Sequence, residues 1–140
     1  MFKQITIFLE NKPGRLAEVT NFLAEENINI HALSIADTTD FGILRLIVSD
    51  PNKTKEALKE KGYMVQTTEV VAVAMGHNPG SLHKVLKELE ILDISIEYMY
   101  AFTSHLKEYE AIVILRLSEQ ETVLDKLKNS SITMIGQELF

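Results

Sequence analysis

A chain of 140 residues with 14 Lys plus Arg against 20 Asp plus Glu carries a net charge of −6, which excludes the basic footprint that phosphate-backbone binding requires. There is no cysteine, so disulfides, thiolate catalysis and cysteine-ligated metals are ruled out. No apolar run approaches the ~20 residues of a membrane helix, and no basic stretch leads into an apolar one at the N-terminus, so a cytoplasmic protein that touches neither membrane nor nucleic acid is expected.

Ile5, Ile7 and Leu9 alternate with Gln4, Thr6 and Phe8, the period of a strand. Asn11 to Gly14 break that strand, and Pro13 suits a first helical turn, where its missing N–H costs nothing. Leu16, Val19, Thr20 and Leu23 follow at helical spacing. Asn27 and Asn29 mark the exit. A second strand starts at Ile28, Ile30 and Ala32, and its apolar phase then switches to Leu33 and Ile35, which predicts a bulge. Residues 37–42 read as a hairpin loop, and its Asp37 and Asp40, like Glu108 and Glu110 of the second hairpin loop, read as solvated carboxylates. Leu44, Leu46 and Val48 lie in a third strand. Asn52 is the expected cap of a short helix carrying Leu58, Gly62 its stop, and Met64 to Thr68 a fourth strand.

The same order then repeats. Asn11-Lys12-Pro13-Gly14-Arg15-Leu16 reappears as His77-Asn78-Pro79-Gly80-Ser81-Leu82, and Val19, Leu23, Ile28 and Ile30 reappear as Val85, Leu89, Ile94 and Ile96, all 66 positions on. Ile94, Ile96, Tyr98 and Tyr100 are expected on one strand face. Residues 111–117 form the next strand, Ser118 with Glu121 reads as a capping box, and residues 132–139 read as the last strand. Leu58 matches Leu127 at an offset of 69, so the second hairpin loop is three residues longer. Two units are expected, 1–68 and 69–140, each too small to be comfortably stable alone. Strand, helix, strand, strand, helix, strand is the split βαβ pattern of ferredoxin-like α+β folds.

A strand that ends in Asn-x-Pro-Gly and enters a helix offers unpaired N–H groups at a positive dipole end, suited to a carboxylate or phosphate. A Pro-Gly turn alone is ordinarily structural. Two at matching positions, with Asn29 at a neighbouring strand start, make a binding role competitive. The first loop, Asn11, Lys12, Pro13, Gly14, Arg15 and Leu16, is the stronger candidate, with Asn29 and Ile30 beside it. The second comprises His77, Asn78, Pro79, Gly80, Ser81 and Leu82, with Ser95 and Ile96. The histidines His31, His77, His83 and His105 have no metal-ligand spacing, and neither metal nor cofactor is expected. Tyr98, Tyr100 and Phe102 read as ordinary packing or as a wall that favours an aromatic, imidazole or branched ligand side chain.

Residues 10–16 with Ile28-Asn29-Ile30 resemble an ACT domain, closest to those of serine-regulated phosphoglycerate dehydrogenases, and the whole chain resembles a free-standing tandem of two such domains. The resemblance implies a non-catalytic regulatory module that binds an amino acid. In such modules two units pair edge strand to edge strand into an eight-stranded antiparallel sheet with helices on one face. The ligand then lies in the seam between the two units, against the Pro-Gly loop of one and the second strand of the other: the Asn11 loop with Asp93 to Tyr98, and His77 to Leu82 with Ile28 to Leu33. It implies roles for Asn11 and Asn29, whose counterparts here are His77 and Ser95. The dehydrogenases carry a ligand-binding His where this chain has Leu9, so serine itself does not carry over. A homodimer and a separate metabolic enzyme are the expected partners. The competing readings are a ligand-independent interaction module and a small phosphatase-like enzyme. The second, such as an acylphosphatase, needs a phosphate-binding loop with a well-placed Arg; Arg15 follows the first Pro-Gly, and its counterpart in the second is Ser81.

Overall fold

A computed structural model describes residues 1–38 and 40–140. Thr39, inside the expected loop at 37–42, lies outside the described residues. The elements run β1 (Phe2–Glu10), α1 (Arg15–Glu25), β2 (Ile30–Asp37), β3 (Phe41–Val48), α2 (Pro51–Glu60), β4 (Met64–Met75), α3 (Ser81–Ile91), β5 (Ile96–Thr103), β6 (Ala111–Leu117), α4 (Gln120–Lys128) and β7 (Met134–Ile135), closed by a 3-10 turn at Gln137–Leu139. No helix among the described residues is long and apolar enough to cross a membrane.

The chain divides into a first unit, Lys3–Thr68 with Phe140, and a second, Glu69–Leu139 with Met1–Phe2. The strands expected to end one unit and begin the next are a single strand of 12 residues, β4. Seven strands are therefore found among the described residues, not eight.

In the first unit the strand order is β2-β3-β1-β4. β3 is antiparallel to both β1 and β2, so β1 and β2 run the same way. Their C-terminal ends, Glu10 and Asp37, meet at the start of β3, opposite Phe41 and Gly42 respectively. The alternation in the sequence puts Ile5, Ile7, Leu9, Leu44, Leu46 and Val48 on the face that packs Val19 and Leu23 of α1 and Leu58 of α2. Each such side chain stabilises by about 1.5–3 kcal/mol on burial, so this cluster outweighs any single helix cap. The bulge in β2 lies between Ile30 and Ala32.

The second unit is ordered β4-β6-β5, with β7 paired to β4. Its core repeats the first position by position: Val85 and Leu89 of α3, Val113, Leu115 and Leu117 of β6, and Leu127 of α4. β5 also carries a bulge, between Ile96 and Tyr98. That extra residue turns the strand, so Ile96 and Met99 pack on the core. Ile96 and Tyr98 therefore do not share a face as the uninterrupted alternation predicts.

Three helix and strand ends differ from the sequence reading. Asp50, not Asn52, caps α2: its carboxylate accepts the Lys53 N–H at 3.0 Å, with Pro51 in the first turn. Ser118 is not the cap of α4, because the helix begins after Glu119, which is left-handed at φ 53°, and the Ser118 N–H pairs with the Ser95 carbonyl. The last strand shrinks to Met134–Ile135, and the chain then turns as a 3-10 helix. Gly62 does stop α2, at φ 95°.

Candidate functional site

Both Pro-Gly loops end in a left-handed glycine that opens the next helix, Gly14 at φ 85° and Gly80 at φ 87°. A Cβ at either would meet nothing within 4 Å among the described residues. Glycine is therefore needed for backbone conformation, and the space in front of it is open. Among the described residues neither α1 nor α3 is capped by a side chain. At α1 the Arg15 N–H reaches the Lys12 carbonyl at 3.4 Å, while the N–H groups of Leu16 and Ala17 are first-turn donors with no acceptor inside the helix.

Those donors open into a cleft of about 220 Å³ lined by Leu9, Asn11, Gly14, Leu16, Ala17, Ile35 and Gly42 among others. The Asn11 amide donates to the Asp37 carboxylate at 2.7 Å. Asp37 is brought there by the shared direction of β1 and β2, so it is not a merely solvated loop acid. The two basic side chains are committed to acids of the same unit. Lys12 pairs with Glu10 at 2.9 Å, and Arg15 bridges Glu10 at 3.7 Å and Glu18 at 3.2 Å. The Lys12 hydrogen bond and charge, with Arg15 behind them, hold the Glu10 carboxyl below its usual range. Burial, and then the hydrogen bond to Glu18, push the Tyr63 phenol up. Arg15, bridged to two carboxylates, does not supply the free guanidinium of a phosphatase loop.

The second loop is built differently. Its His77 N–H donates to the Glu110 carboxylate at 2.8 Å, and its Asn78 N–H donates to the Ser81 hydroxyl at 3.2 Å. Glu110 comes from the foot of β6, 33 residues along the chain. Both helices thus start without a side-chain cap, and the loops differ in that two N–H groups ahead of α3 are already taken.

Asn29 and Asn11 are not brought together within the first unit. Ile30 is opposite Val48 and Asp37 is opposite Gly42, so the start of β2 lies about 23 Å of extended strand from its end. The Asn29 backbone is paired with Ser49: the Asn29 N–H donates to the Ser49 hydroxyl at 3.1 Å, and the Asn29 carbonyl accepts the Ser49 N–H at 3.0 Å. Ser95 and Ile96, its second-unit counterparts, line a cleft of about 310 Å³ with Leu86, Leu89, Glu90, Asp93 and Ile94, apart from the His77 loop. Tyr98, Tyr100 and Phe102 are half-buried on β5 and do not line that cleft.

The sequence reading took Asp37 and Glu110 for solvated loop acids and gave Ile35 no part in the site. Asp37 and Ile35 become visible once β1 and β2 are seen to end together. Glu110 follows from the longer second hairpin: the Glu110 carbonyl accepts the Ser104 N–H as the Phe41 carbonyl accepts the Thr38 N–H.

A family model described as the ACT domain pair matches residues 1–138. No curated protein matches. Among solved structures, protein BT0572 from Bacteroides thetaiotaomicron is 46% identical, covering 96% of this chain and 91% of that one with a TM-score of 0.86. The regulatory subunit of aspartate kinase from Thermus thermophilus is 18% identical, covering 91% of each chain with a TM-score of 0.61. The same subunit from Thermus flavus, also 18% identical, covers 91% of this chain and 90% of that one with a TM-score of 0.59. These last two likenesses are of fold. With a duplicated ferredoxin-like unit, matching glycine-headed loops and a family model over nearly its whole length, the chain belongs to the ACT domain pair family.

Proposed function

We propose that this protein is a non-catalytic regulatory module that binds a free amino acid at the first Pro-Gly loop. The observation that carries the reading is the uncapped start of α1 opening into a small cleft beside Asn11. The ligand carboxylate takes the N–H groups of Leu16 and Ala17 at the positive end of the helix. Asp37, at the same edge, attracts the ammonium, which a phosphate or a simple carboxylic acid lacks. Leu9, Leu16 and Ile35 form an apolar wall, which favours a branched aliphatic side chain over an aromatic or imidazole one. A volume near 220 Å³ lies below the ~300–1,000 Å³ usual for drug-sized ligands, so the ligand is small or a second surface completes the site.

That second surface is the β2 edge of another copy. β2 ends the strand order and so offers unpaired backbone groups. Paired antiparallel with its own copy, the start of one β2 falls beside the end of the other. Asn29 and Ile30 of a second chain then stand at the Asn11 loop. The informed partner is a separate metabolic enzyme, as the regulatory subunits of similar fold suggest by name.

A thermal-shift screen of the twenty amino acids tests the reading. A ligand at 100 times its Kd stabilises by about 2.7 kcal/mol, and Asn11→Ala or Asp37→Asn should abolish the shift. Silence with all twenty at millimolar concentration overturns it. The exposed Leu33 and Ile35 on β2 favour a second reading, a ligand-independent interaction module. Capture of a partner enzyme unaffected by any amino acid and by Asn11→Ala would select it.

A further inference from the structure

The two loops are alike in backbone and unlike in what fills them. In the first unit the acid at the loop is Glu10, at the end of β1, held by Lys12 and Arg15. The second unit has Gly76, Asn78 and Ser81 at those three positions, so acid and cations are lost together. An acid returns across the strand pair. Phe41, which stacks edge-on against Phe8 with ring centroids 5.8 Å apart, is replaced by Glu110, and Phe8 by Ala74. With no cation at Asn78 or Ser81 to hold it, the Glu110 carboxylate accepts the His77 N–H at 2.8 Å. Gly76 lies beside this pair: a Cβ there would crowd the Ser81 hydroxyl at 3.1 Å and meet the Glu110 carboxylate at an ordinary 3.6 Å. No side chain among the described residues makes the corresponding contact at Asn11.

We propose that Glu110 is a built-in carboxylate ligand of the second loop, which closes that loop to free amino acids and leaves one working loop per chain. The inference deepens the amino-acid-binding reading and rests on it. A charge-assisted hydrogen bond of this kind is stronger than a neutral one, so it fixes the Glu110 carboxylate on the His77 N–H, just ahead of the first-turn donors of α3 at Leu82 and His83. A free carboxylate brought to those donors would face the Glu110 charge. Repulsion by that charge is what closes the loop.

The test is backbone-amide NMR of the full chain as wild type, Glu110→Ala and Glu110→Gln, titrated with each of the twenty amino acids and, separately, with acetate. In the wild type the amides of residues 10–17 should move and those of 76–82 should not. In Glu110→Ala both sets should move, and the calorimetric stoichiometry should rise from one ligand per chain to two. Glu110→Gln keeps the shape and loses the charge, and should fall between. Equal response of both loops in the wild type overturns the proposal. So does a silent second loop in Glu110→Ala when the first responds. If no amino acid moves residues 10–17 in any of the three proteins, it is the amino-acid reading that fails. The closure is then judged with acetate alone. A response of His77 that is larger in Glu110→Ala than in the wild type upholds it, and an equal or absent response refutes it.

Discussion

Gly14 shows how a single residue can be fixed by backbone conformation with no packing involved. Its φ of 85° lies in the left-handed region, and a side-chain carbon at that position would have no neighbour within 4 Å among the described residues. Gly14→Ala should therefore cost only the conformational penalty, about 1–2 kcal/mol, measured by denaturant unfolding. Gly14→Asn should cost less, because Asn tolerates this region. His31 makes a second case. Its Nε2 is buried without a hydrogen-bond partner among the described residues, its ring lies edge-on 5.1 Å from that of Phe140, and burial pushes its pKa below the ordinary 6.5. The unfolded chain then binds a proton at a pH where the folded one does not. Stability rises with pH across the window between the folded and unfolded values, and is lost as the solution is acidified from neutrality through 6.5 toward the folded value. Unfolding midpoints measured between neutral and mildly acidic pH should fall in the wild type and fall less in His31→Gln. Parallel slopes would refute the assignment.

At the scale of elements, α2 and α4 separate what the sequence can specify from what it cannot. A cap depends on which residue holds the non-helical position one step before the first turn, and Asp50-Pro51-Asn52 offers two candidates. Asp50 has it, with its carboxylate on the Lys53 N–H. Asp50→Ala should destabilise by about 1 kcal/mol, whereas Ser118→Ala should stay within ~0.5 kcal/mol, because the Ser118 side chain is not the cap of α4. Comparable losses in both would restore the capping-box reading. The duplicated core was legible throughout, since Val19 and Val85, Leu23 and Leu89, and Leu58 and Leu127 repeat a periodicity that burial alone enforces. The loops were legible as backbone, because Pro-Gly demands its own turn. Their occupancy was not. It depends on Asp37 and Glu110 arriving from β2 and β6, and a one-dimensional spacing does not report which ends of two strands meet. The bulge in β5 was hidden for a related reason: Tyr98 and Tyr100 alternate as well as Ile96 does, so the slip in phase leaves no mark in composition.

For the whole molecule, the feature to explain is an unprotected strand edge on a chain of net charge −6. Edge strands are usually blunted with Lys, Pro or a covering element. β2, Ile-His-Ala-Leu-Ser-Ile-Ala-Asp, has neither Lys nor Pro and leaves Leu33 and Ile35 46% and 50% exposed. Both sit opposite buried core residues of β3, Leu46 and Leu44, so they continue the core face to an edge where it stops. The proposed two-fold pairing of β2 covers them and fills the backbone row at the same time. Leu33 is outside the Asn11 cleft, which makes it a clean probe. Leu33→Lys should convert a dimer to a monomer in sedimentation at micromolar concentration while the unit stays folded, since the position is exposed. Two acidic copies repel at long range, so added salt should strengthen the wild-type dimer by screening. The ligand site is the second readout. If Asn29 of one copy completes the Asn11 loop of the other, Leu33→Lys must weaken amino-acid binding without touching the cleft, and Asn29→Ala must weaken it without dissolving the dimer. A monomeric wild type, or a Leu33→Lys monomer that binds as tightly as its parent, would confine the whole site to one chain.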